Sequence, residues 1–174
     1  MKVFCVGLSK TGTNSIIDAL KKLGYSTCHC PDIHRVLIVS DKVDAIADST
    51  VAPYMQMLDR IWPDAKFILT VREEEAWLDS CRRHFAVRLP PEILWDIHKW
   101  NRLAVWGRVD YDEETFKQIS RAHIENVLEY FKDRPEKLLV MDICSGEGYE
   151  NLCPFLGLPI LDERFPHGNW DKRS

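Results

Sequence analysis

The first sixteen residues combine glycines, hydroxyl side chains and one lysine in a spacing suited to binding an anion. An apolar run over residues 2–6 precedes Gly7, and residues 9–15 then read Ser-Lys-Thr-Gly-Thr-Asn-Ser. Glycines let the backbone N–H groups of such a loop turn toward a ligand, and a following helix adds unpaired donors and the positive end of its dipole. The order predicts a strand, a phosphate loop and a helix.

The position of the lysine narrows the choice of anion. Gly7 and Gly12 have the separation of the Walker pattern, in which Lys and Ser or Thr directly follow the second glycine. Here Thr13 and Asn14 occupy those two positions, and Lys10 lies two residues before Gly12. The spacing therefore favours a phosphorylated ligand other than ATP or GTP.

A second pair of residues suited to phosphate lies in the middle of the chain. Arg72 ends the apolar run 66–71, and Ser80 follows eight residues later within a helical stretch. A guanidinium presents a planar fork to phosphate oxygens, and a hydroxyl two turns into the next helix can approach from the side. Taken singly, a surface ion pair and an inert helix serine explain these residues better. In combination with the loop, both residue types are also compatible with binding a phosphate group.

These segments resemble the sulfotransferases that use 3′-phosphoadenosine 5′-phosphosulfate (PAPS) as donor. Residues 9–15 resemble their 5′-phosphosulfate loop, and Arg72 and Ser80 have the separation of the pair that holds the donor's 3′-phosphate. Residues 138–159 resemble the last strand and the Phe-Leu-Gly helix of small bacterial-type members. The resemblance runs from residue 2 to about residue 169, and Asn14 departs from the threonine common at its position.

The resemblance implies transfer of a sulfuryl group from PAPS to a hydroxyl or amine of a small-molecule acceptor. Adenosine 3′,5′-bisphosphate (PAP) would be the product, and no metal is needed. It also implies that Lys10 acts at the bridging oxygen. Donor binding is implied for Ser9, Lys10, Thr11, Gly12, Thr13, Asn14 and Ser15 at the 5′ end, and for Arg72 and Ser80 at the 3′-phosphate.

The base that takes the acceptor's proton is left open by the resemblance. Asp48 is the first candidate, because it ends a predicted strand over residues 43–48 beside the loop. A structural role for Asp48, as a helix N-cap or a partner of Lys10, is equally consistent with its position. His84 and His123 are second candidates, although His123 aligns with apolar positions of its helix, which is typical of a core histidine.

Two other function classes and a metal site are alternatives for parts of the same sequence. In a P-loop kinase or nucleotide phosphotransferase, Asp142 would hold magnesium after the strand 138–141. A nucleotide-binding module without catalysis is the second alternative. Cys28-His29-Cys30 with His34 has an unusual spacing for zinc and no second ligand pair, so no metal site is expected.

Length and composition limit the classes of protein to which this sequence can belong. The 174 residues suit one domain, 1–174, and a net charge of −4 with a pI near 5.9 argues against a nucleic-acid surface. The sequence holds no apolar run long enough to span a membrane, and a strand begins at residue 3 without a signal peptide. Six scattered cysteines favour free thiols in a reducing compartment, and a cytoplasmic protein is expected.

Alternating strand and helix patterns must position these residues. They predict a three-layer α/β/α P-loop fold with a central parallel sheet, whose ligands bind beyond the carboxyl ends of the strands. A helical insert at about residues 86–111 is expected to set acceptor specificity through its aromatic side chains, and the tail 159–174 is expected to wrap the surface. The residues of the insert are Trp95, His98, Trp100 and Trp106. In the tail, the resemblance implies a loop that closes over the 3′-phosphate, formed by His167, Gly168, Asn169, Lys172 and Arg173.

Overall fold

Short apolar segments form a parallel sheet in the computed structural model, which describes residues 1–85 and 97–168. Its spatial order is β2-β3-β1-β4-β5, with every neighbouring pair parallel. Phe4 of the central strand lies opposite Ile46 on one side and Phe67 on the other. The strands are β1 Val3–Cys5, β2 Thr27–His29, β3 Ala45–Ala47, β4 Lys66–Thr70 and β5 Leu138–Met141.

Helices connect the strands and cover the sheet. Several have local end signals: the Asp112 carboxylate accepts a hydrogen bond from the Thr115 N–H at 3.0 Å, and Gly157 ends the last helix with a left-handed φ of 69°. Within the described ranges, the α-helices are α1 Thr13–Lys22, α2 Val36–Lys42, α3 Met55–Ile61, α4 Glu74–Phe85, α5 Ile97–Trp106, α6 Glu113–Phe131 and α7 Tyr149–Leu156. Single 3-10 turns lie at Ile33–Arg35, Ala52–Tyr54, Pro135–Lys137 and Ile143–Ser145.

The two faces of the sheet carry separate apolar cores, because successive side chains of a strand point to opposite faces. On β1, Val3 and Cys5 pack with α1 and α7, whereas Phe4, together with Val6 just after the strand, packs with α2, α3 and α6. The side chains of the inner strands β1, β3 and β4 are almost all buried, as expected for a parallel sheet covered by helices, whereas those of the edge strands β2 and β5 are mostly half-buried. This is the three-layer α/β arrangement that the sequence predicts.

A third cluster, rich in aromatic side chains, supports the loop after β1 from one side. Trp106 and Phe116 stack with ring centroids 4.1 Å apart, and Trp77 packs beside them next to Leu8. The indole N–H of Trp77 donates to the carbonyl of Ser9 at 3.0 Å. The cluster thus joins α4, α5 and α6 to the backbone of the loop.

The structure defines the ends of the predicted elements. Strand β3 covers only Ala45–Ala47 of the predicted strand 43–48, and helix α1 begins at Thr13, directly after the left-handed turn at Gly12 that ends the loop. Of the helical insert predicted at about residues 86–111, the structure describes the part from Ile97 onward, and Trp95 lies outside the described residues, as do Asn169, Lys172 and Arg173. In the described residues, no helix is sufficiently long and apolar to cross a membrane.

The aromatic residues of the predicted insert fall into two environments. Trp106 is 2% exposed and belongs to the aromatic cluster, so it serves packing. Trp100 is exposed, and its ring contacts His34 edge-on at 6.4 Å between centroids. The asparagine one residue later, Asn101, accepts a hydrogen bond from the Ile33 N–H at 2.9 Å, so α5 is tied to the turn after β2.

Candidate functional site

Strained backbone marks the edge of the sheet where β1, β2 and β3 end. Lys10, Cys30 and Asp48 are non-glycine residues with positive φ, at 74°, 50° and 119°. Such conformations cost about 1–3 kcal/mol each and persist only where the surrounding structure holds them, often at functional sites. All three follow a strand of the parallel sheet, at the edge where ligands of such folds bind.

The loop after β1 is pressed against β4. A Cβ added at Gly7 would lie 1.8 Å from the Thr70 Oγ1, so this position excludes any side chain. The Thr11 hydroxyl donates to the Leu8 carbonyl at 2.6 Å and lies 2.6 Å from the Thr70 hydroxyl, which must therefore donate to it. The Thr11 side chain thus holds the loop together and faces the sheet.

The two anion-binding segments of the sequence meet in one cavity of about 310 Å³, here called the donor cavity. A guanidinium N–H of Arg72 donates to the carbonyl of Lys10 at 3.3 Å, which joins the end of β4 to the loop after β1. The lining residues are Lys10, Gly12, Thr13, Asn14, Ser15, Arg72, Ser80, Arg83, Ile143, Cys144, His167 and Gly168. The predicted donor residues Ser9 and Thr11 are not among the described residues that line it.

The donor cavity is electropositive in a chain of net charge −4. Lys10, Arg72 and Arg83 line it, and the described part of its lining contains no carboxylate. Backbone at the start of α1 adds the unpaired N–H groups of a helix N-terminus. Its volume lies in the range of small-molecule sites, so the cavity suits a compact anion with more than one charged group.

The lining also includes Arg83, which the sequence pattern did not single out, and His167 and Gly168 of the tail. Arg83 follows Ser80 by three residues on α4, so the two share a helix face, and that spacing is a signal by which it could have been found. Its guanidinium pairs with the Asp79 carboxylate at the surface. The Gly168 N–H donates to the Ser15 hydroxyl at 3.0 Å, so His167 and Gly168 reach the cavity from the other end of the chain.

Asp48 is held beside the loop by several donors. Its Oδ1 accepts hydrogen bonds from the Ser9 hydroxyl at 2.8 Å and from the Ser49 N–H at 2.6 Å. Its Oδ2 lies 3.6 Å from the Nε2 of His29, and the same nitrogen lies 3.2 Å from the Thr13 hydroxyl. The sequence suggests His29 only as part of a zinc motif, because its contacts arise from the adjacency of β2, β3 and α1 in the fold.

The two histidines predicted as alternative bases lie elsewhere. The Nε2–H of His123 donates to the carbonyl of Val6 at 2.7 Å, and burial lowers the pKa of His123, an effect that this hydrogen bond partly offsets. His123 lines a different cavity, of about 580 Å³, between α3 and α6. His84 is exposed near the end of α4, with its ring edge-on to Phe85 at 4.8 Å between centroids. Asp48 contacts the loop at Ser9, next to Lys10, whereas His123 contacts its first residue, Val6, on the side away from the donor cavity.

The cysteines are free thiols in the structure. Cys5, Cys81 and Cys153 are buried, and burial raises the pKa of Cys5 to about 11. Burial also raises the pKa of Cys30, and the negative charge of Asp48 adds to this effect. Among residues 1–85 and 97–168, no group of three or more His, Cys, Asp or Glu side chains is arranged to hold a metal ion.

Comparison with known proteins agrees with this geometry. The chain is similar to Ava biosynthesis cluster protein M of Aspergillus versicolor, with 26% identity over 214 aligned residues that cover 96% of this chain and 80% of the relative. A family model described as a sulfotransferase domain matches residues 2–37 and 34–174. Because that model spans nearly the whole sequence, this chain belongs to the sulfotransferase family.

Proposed function

We propose that this protein transfers the sulfuryl group of PAPS to a hydroxyl or amine of a small-molecule acceptor by in-line displacement. The observation that carries the proposal is the hydrogen bond from Arg72 to the Lys10 carbonyl, within one electropositive cavity. Two separate sets of hydrogen-bond donors, one from the loop with α1 and one from Arg72 with α4, can then bind the same anionic ligand. A nucleotide with phosphate groups at its 5′ and 3′ positions matches such a cavity, and membership of the sulfotransferase family supports a sulfuryl donor.

The residues of the donor cavity fit the two ends of that nucleotide. When bound, PAPS supplies the sulfuryl group and leaves as PAP. The start of α1, Thr13 to Ser15, offers backbone N–H groups and side-chain donors to the 5′-phosphate. Arg72, Ser80 and Arg83 offer charged and neutral donors to the 3′-phosphate.

Lys10 is the proposed catalytic cation. In-line displacement places growing negative charge on the oxygen that stays with the nucleotide, and a positioned ammonium stabilises that charge. The left-handed backbone of Lys10 and the Arg72 contact to its carbonyl fix the start of its side chain at the cavity. We therefore expect the loop backbone to keep its conformation when the Lys10 ammonium stabilises the leaving oxygen.

Asp48 is the proposed base. Ser9 and Ser49 both donate to its Oδ1, the Cys30 thiol also bonds the carboxylate, and the Oδ2 has a longer 3.6 Å contact with His29. The Oδ2 is thus the oxygen on which an acceptor's proton can be received. The residue's contact with Ser9 places it one residue from the catalytic lysine.

A magnesium-dependent phosphotransferase is less consistent with the structure. Its metal would require a carboxylate such as Asp142, but the Asp142 Oδ1 accepts a hydrogen bond from the Ser145 N–H at 3.0 Å and caps the turn Ile143–Ser145. Asp142 is also absent from the described lining of the donor cavity. The geometry therefore favours the sulfuryl donor.

Calorimetry with PAP and with ATP plus magnesium tests the donor, and labelled PAPS with a panel of phenols, alcohols and amines tests transfer. We expect PAP to bind more tightly than ATP with magnesium, and Lys10→Ala to lower transfer at least about 100-fold. Lys21→Ala, an exposed lysine in the last turn of α1, is the matched control and should leave transfer unchanged. Preference for ATP would refute the proposal, and PAP binding without transfer to any compound would favour a non-catalytic module.

A further inference from the structure

The imidazole of His29 lies between the first residue of α1 and the carboxylate that follows β3. Its Nε2 is 3.2 Å from the Thr13 hydroxyl and 3.6 Å from the Asp48 Oδ2. The three side chains are largely shielded from water, with the His29 side chain 19% exposed and that of Asp48 9% exposed. The direction of the hydrogen bond between His29 and Thr13 depends on whether the Nε2 of His29 carries the ring hydrogen.

The chemistry of the two neighbours places the proton on the Nε2 of His29. A carboxylate only accepts hydrogen bonds, whereas a hydroxyl can donate one and accept two. The negative Asp48 beside the Nε2 favours the tautomer with its hydrogen on that nitrogen. In the 3.2 Å contact, His29 is then the donor and the Thr13 oxygen is the acceptor.

A threonine hydroxyl that accepts from His29 keeps its own hydrogen for another partner. Thr13 lines the donor cavity, at the helix start where the 5′ end of the nucleotide is proposed to bind. If His29 instead accepted a hydrogen bond from Thr13, the hydroxyl hydrogen would point to the imidazole. Only the lone pairs of the Thr13 oxygen would then face the cavity, and these repel an anion. The direction of one hydrogen bond thus decides whether Thr13 attracts the ligand.

We infer that His29 and Asp48 orient the Thr13 hydroxyl so that it donates to the 5′-phosphate group of the bound nucleotide. This inference rests on the proposed function, since it takes the ligand of the donor cavity to be a nucleotide with a 5′-phosphate. His29 is a positioning residue here, because it acts through Thr13. Its loss should weaken nucleotide binding by as much as the loss of the hydroxyl itself.

A double-mutant cycle on PAP affinity tests this, with each Kd measured by calorimetry. Thr13→Val should weaken PAP binding about tenfold, as expected for one hydrogen bond to a charged group. His29→Leu should cause a similar loss, and the Thr13→Val/His29→Leu double variant should bind no more weakly than Thr13→Val. His29→Gln should retain most of the affinity, because the glutamine amide can donate to Thr13 in place of the imidazole.

The controls separate this inference from a structural effect and from the proposed function. His34→Leu alters a histidine that contacts Trp100 away from the donor cavity, and its PAP affinity should match that of the wild type. Thermal unfolding checks that each variant is folded. Additive losses in the double variant, or a His29→Gln variant as weak as His29→Leu, would overturn the inference alone. A wild-type protein that does not bind PAP would overturn the proposed function as well.

Discussion

The three cations of the donor cavity differ in how firmly the protein holds them. Arg72 donates to the Lys10 carbonyl, so its guanidinium is anchored before any ligand arrives. The Arg83 side chain is 64% exposed and pairs with Asp79 on the same helix face, an interaction of low net value in water. A phosphate group can therefore compete with Asp79 for Arg83, whereas Arg72 is already oriented.

Glutamine variants of these arginines test that difference. Arg72→Gln should weaken PAP binding by at least about tenfold, because it removes both a charged donor and the link to the loop. Arg83→Gln should weaken PAP binding less, by about threefold to tenfold, and should leave the affinity for AMP, which lacks the 3′-phosphate, unchanged.

Arg82→Gln is the matched control for both variants. Arg82 neighbours Arg83 on α4 but pairs with Glu113 and does not belong to the described lining of the cavity. Its loss should leave PAP affinity as in the wild type when measured by calorimetry at two salt concentrations. If Arg82→Gln lost as much affinity as Arg83→Gln, general charge attraction rather than a contact would explain the result.

At the scale of elements, the close contact between the loop after β1 and strand β4 depends on Gly7. Gly7→Ala would place a methyl group 1.8 Å from the Thr70 Oγ1 and 2.9 Å from its Cβ. We expect a loss of about 1–3 kcal/mol in the free energy of unfolding, measured with urea. Since the tightest contact involves the Thr70 hydroxyl, Gly7→Ala/Thr70→Ala should be less destabilised than the sum of the single variants. Additive losses would show that the clash is relieved elsewhere.

Asp59 joins α3 to α6 and to the turn before β5. Its side chain is 5% exposed and accepts hydrogen bonds from Tyr130 at 2.9 Å, from Arg134 at 2.6 Å and from Lys137. Burial raises the pKa of Asp59, but the hydrogen bonds from Lys137, Arg134 and Tyr130 outweigh it, so the pKa is held below its usual value. The charged form is thus the one that stabilises the fold.

That lowered pKa predicts how stability depends on acid. The contribution of Asp59 to the free energy of unfolding should be complete above the pKa of its carboxyl group in the unfolded chain, about 3.9. It should be lost as the pH falls through the lower pKa of that group in the folded protein. Asp59→Asn should cost about 3 kcal/mol in the free energy of unfolding at pH 7 and flatten its decline below pH 4. Glu129→Gln, which removes an exposed partner of Lys132, should leave the unfolding curve nearly unchanged. An acid profile for Asp59→Asn parallel to that of the wild type would contradict this role.

At the scale of the whole molecule, local pattern and parallel topology together predict much of the site. Alternating strands and helices indicate a parallel sheet, and its carboxyl edge brings Lys10 and Arg72 together although 62 residues separate them. The contacts of His29 could not be read from the sequence, because they depend on which strands are neighbours. Thr11 also has the right residue type for the cavity, but its hydroxyl is taken by the contact between the loop and β4.

The end of the chain is the other part that local pattern leaves open. Residues 158–165 have little periodicity, yet Leu161 and Phe165 pack against the core formed by α1 and α7. The ring of Phe165 lies 4.9 Å from that of Tyr149, and Glu163 pairs with Lys22 at 2.5 Å. These contacts hold the tail on the surface and direct its end toward the start of α1.

Gly168 of the tail lies against the start of α1 and lines the donor cavity. A Cβ added at Gly168 would lie 2.9 Å from the Asn14 Cβ and 3.4 Å from the Ser15 nitrogen, so Gly168→Ala should push the tail off the helix start. We expect PAP affinity to fall about tenfold by calorimetry, with little change in thermal unfolding, because the anchoring contacts of Phe165 remain. Ile160→Ala, at a tail residue that is 59% exposed, is the matched control and should bind PAP as the wild type does. Equal affinity in Gly168→Ala and the wild type would mean that nucleotide binding does not use the tail, and that the other lining residues, in the loop, α1, α4 and the turn after β5, are sufficient.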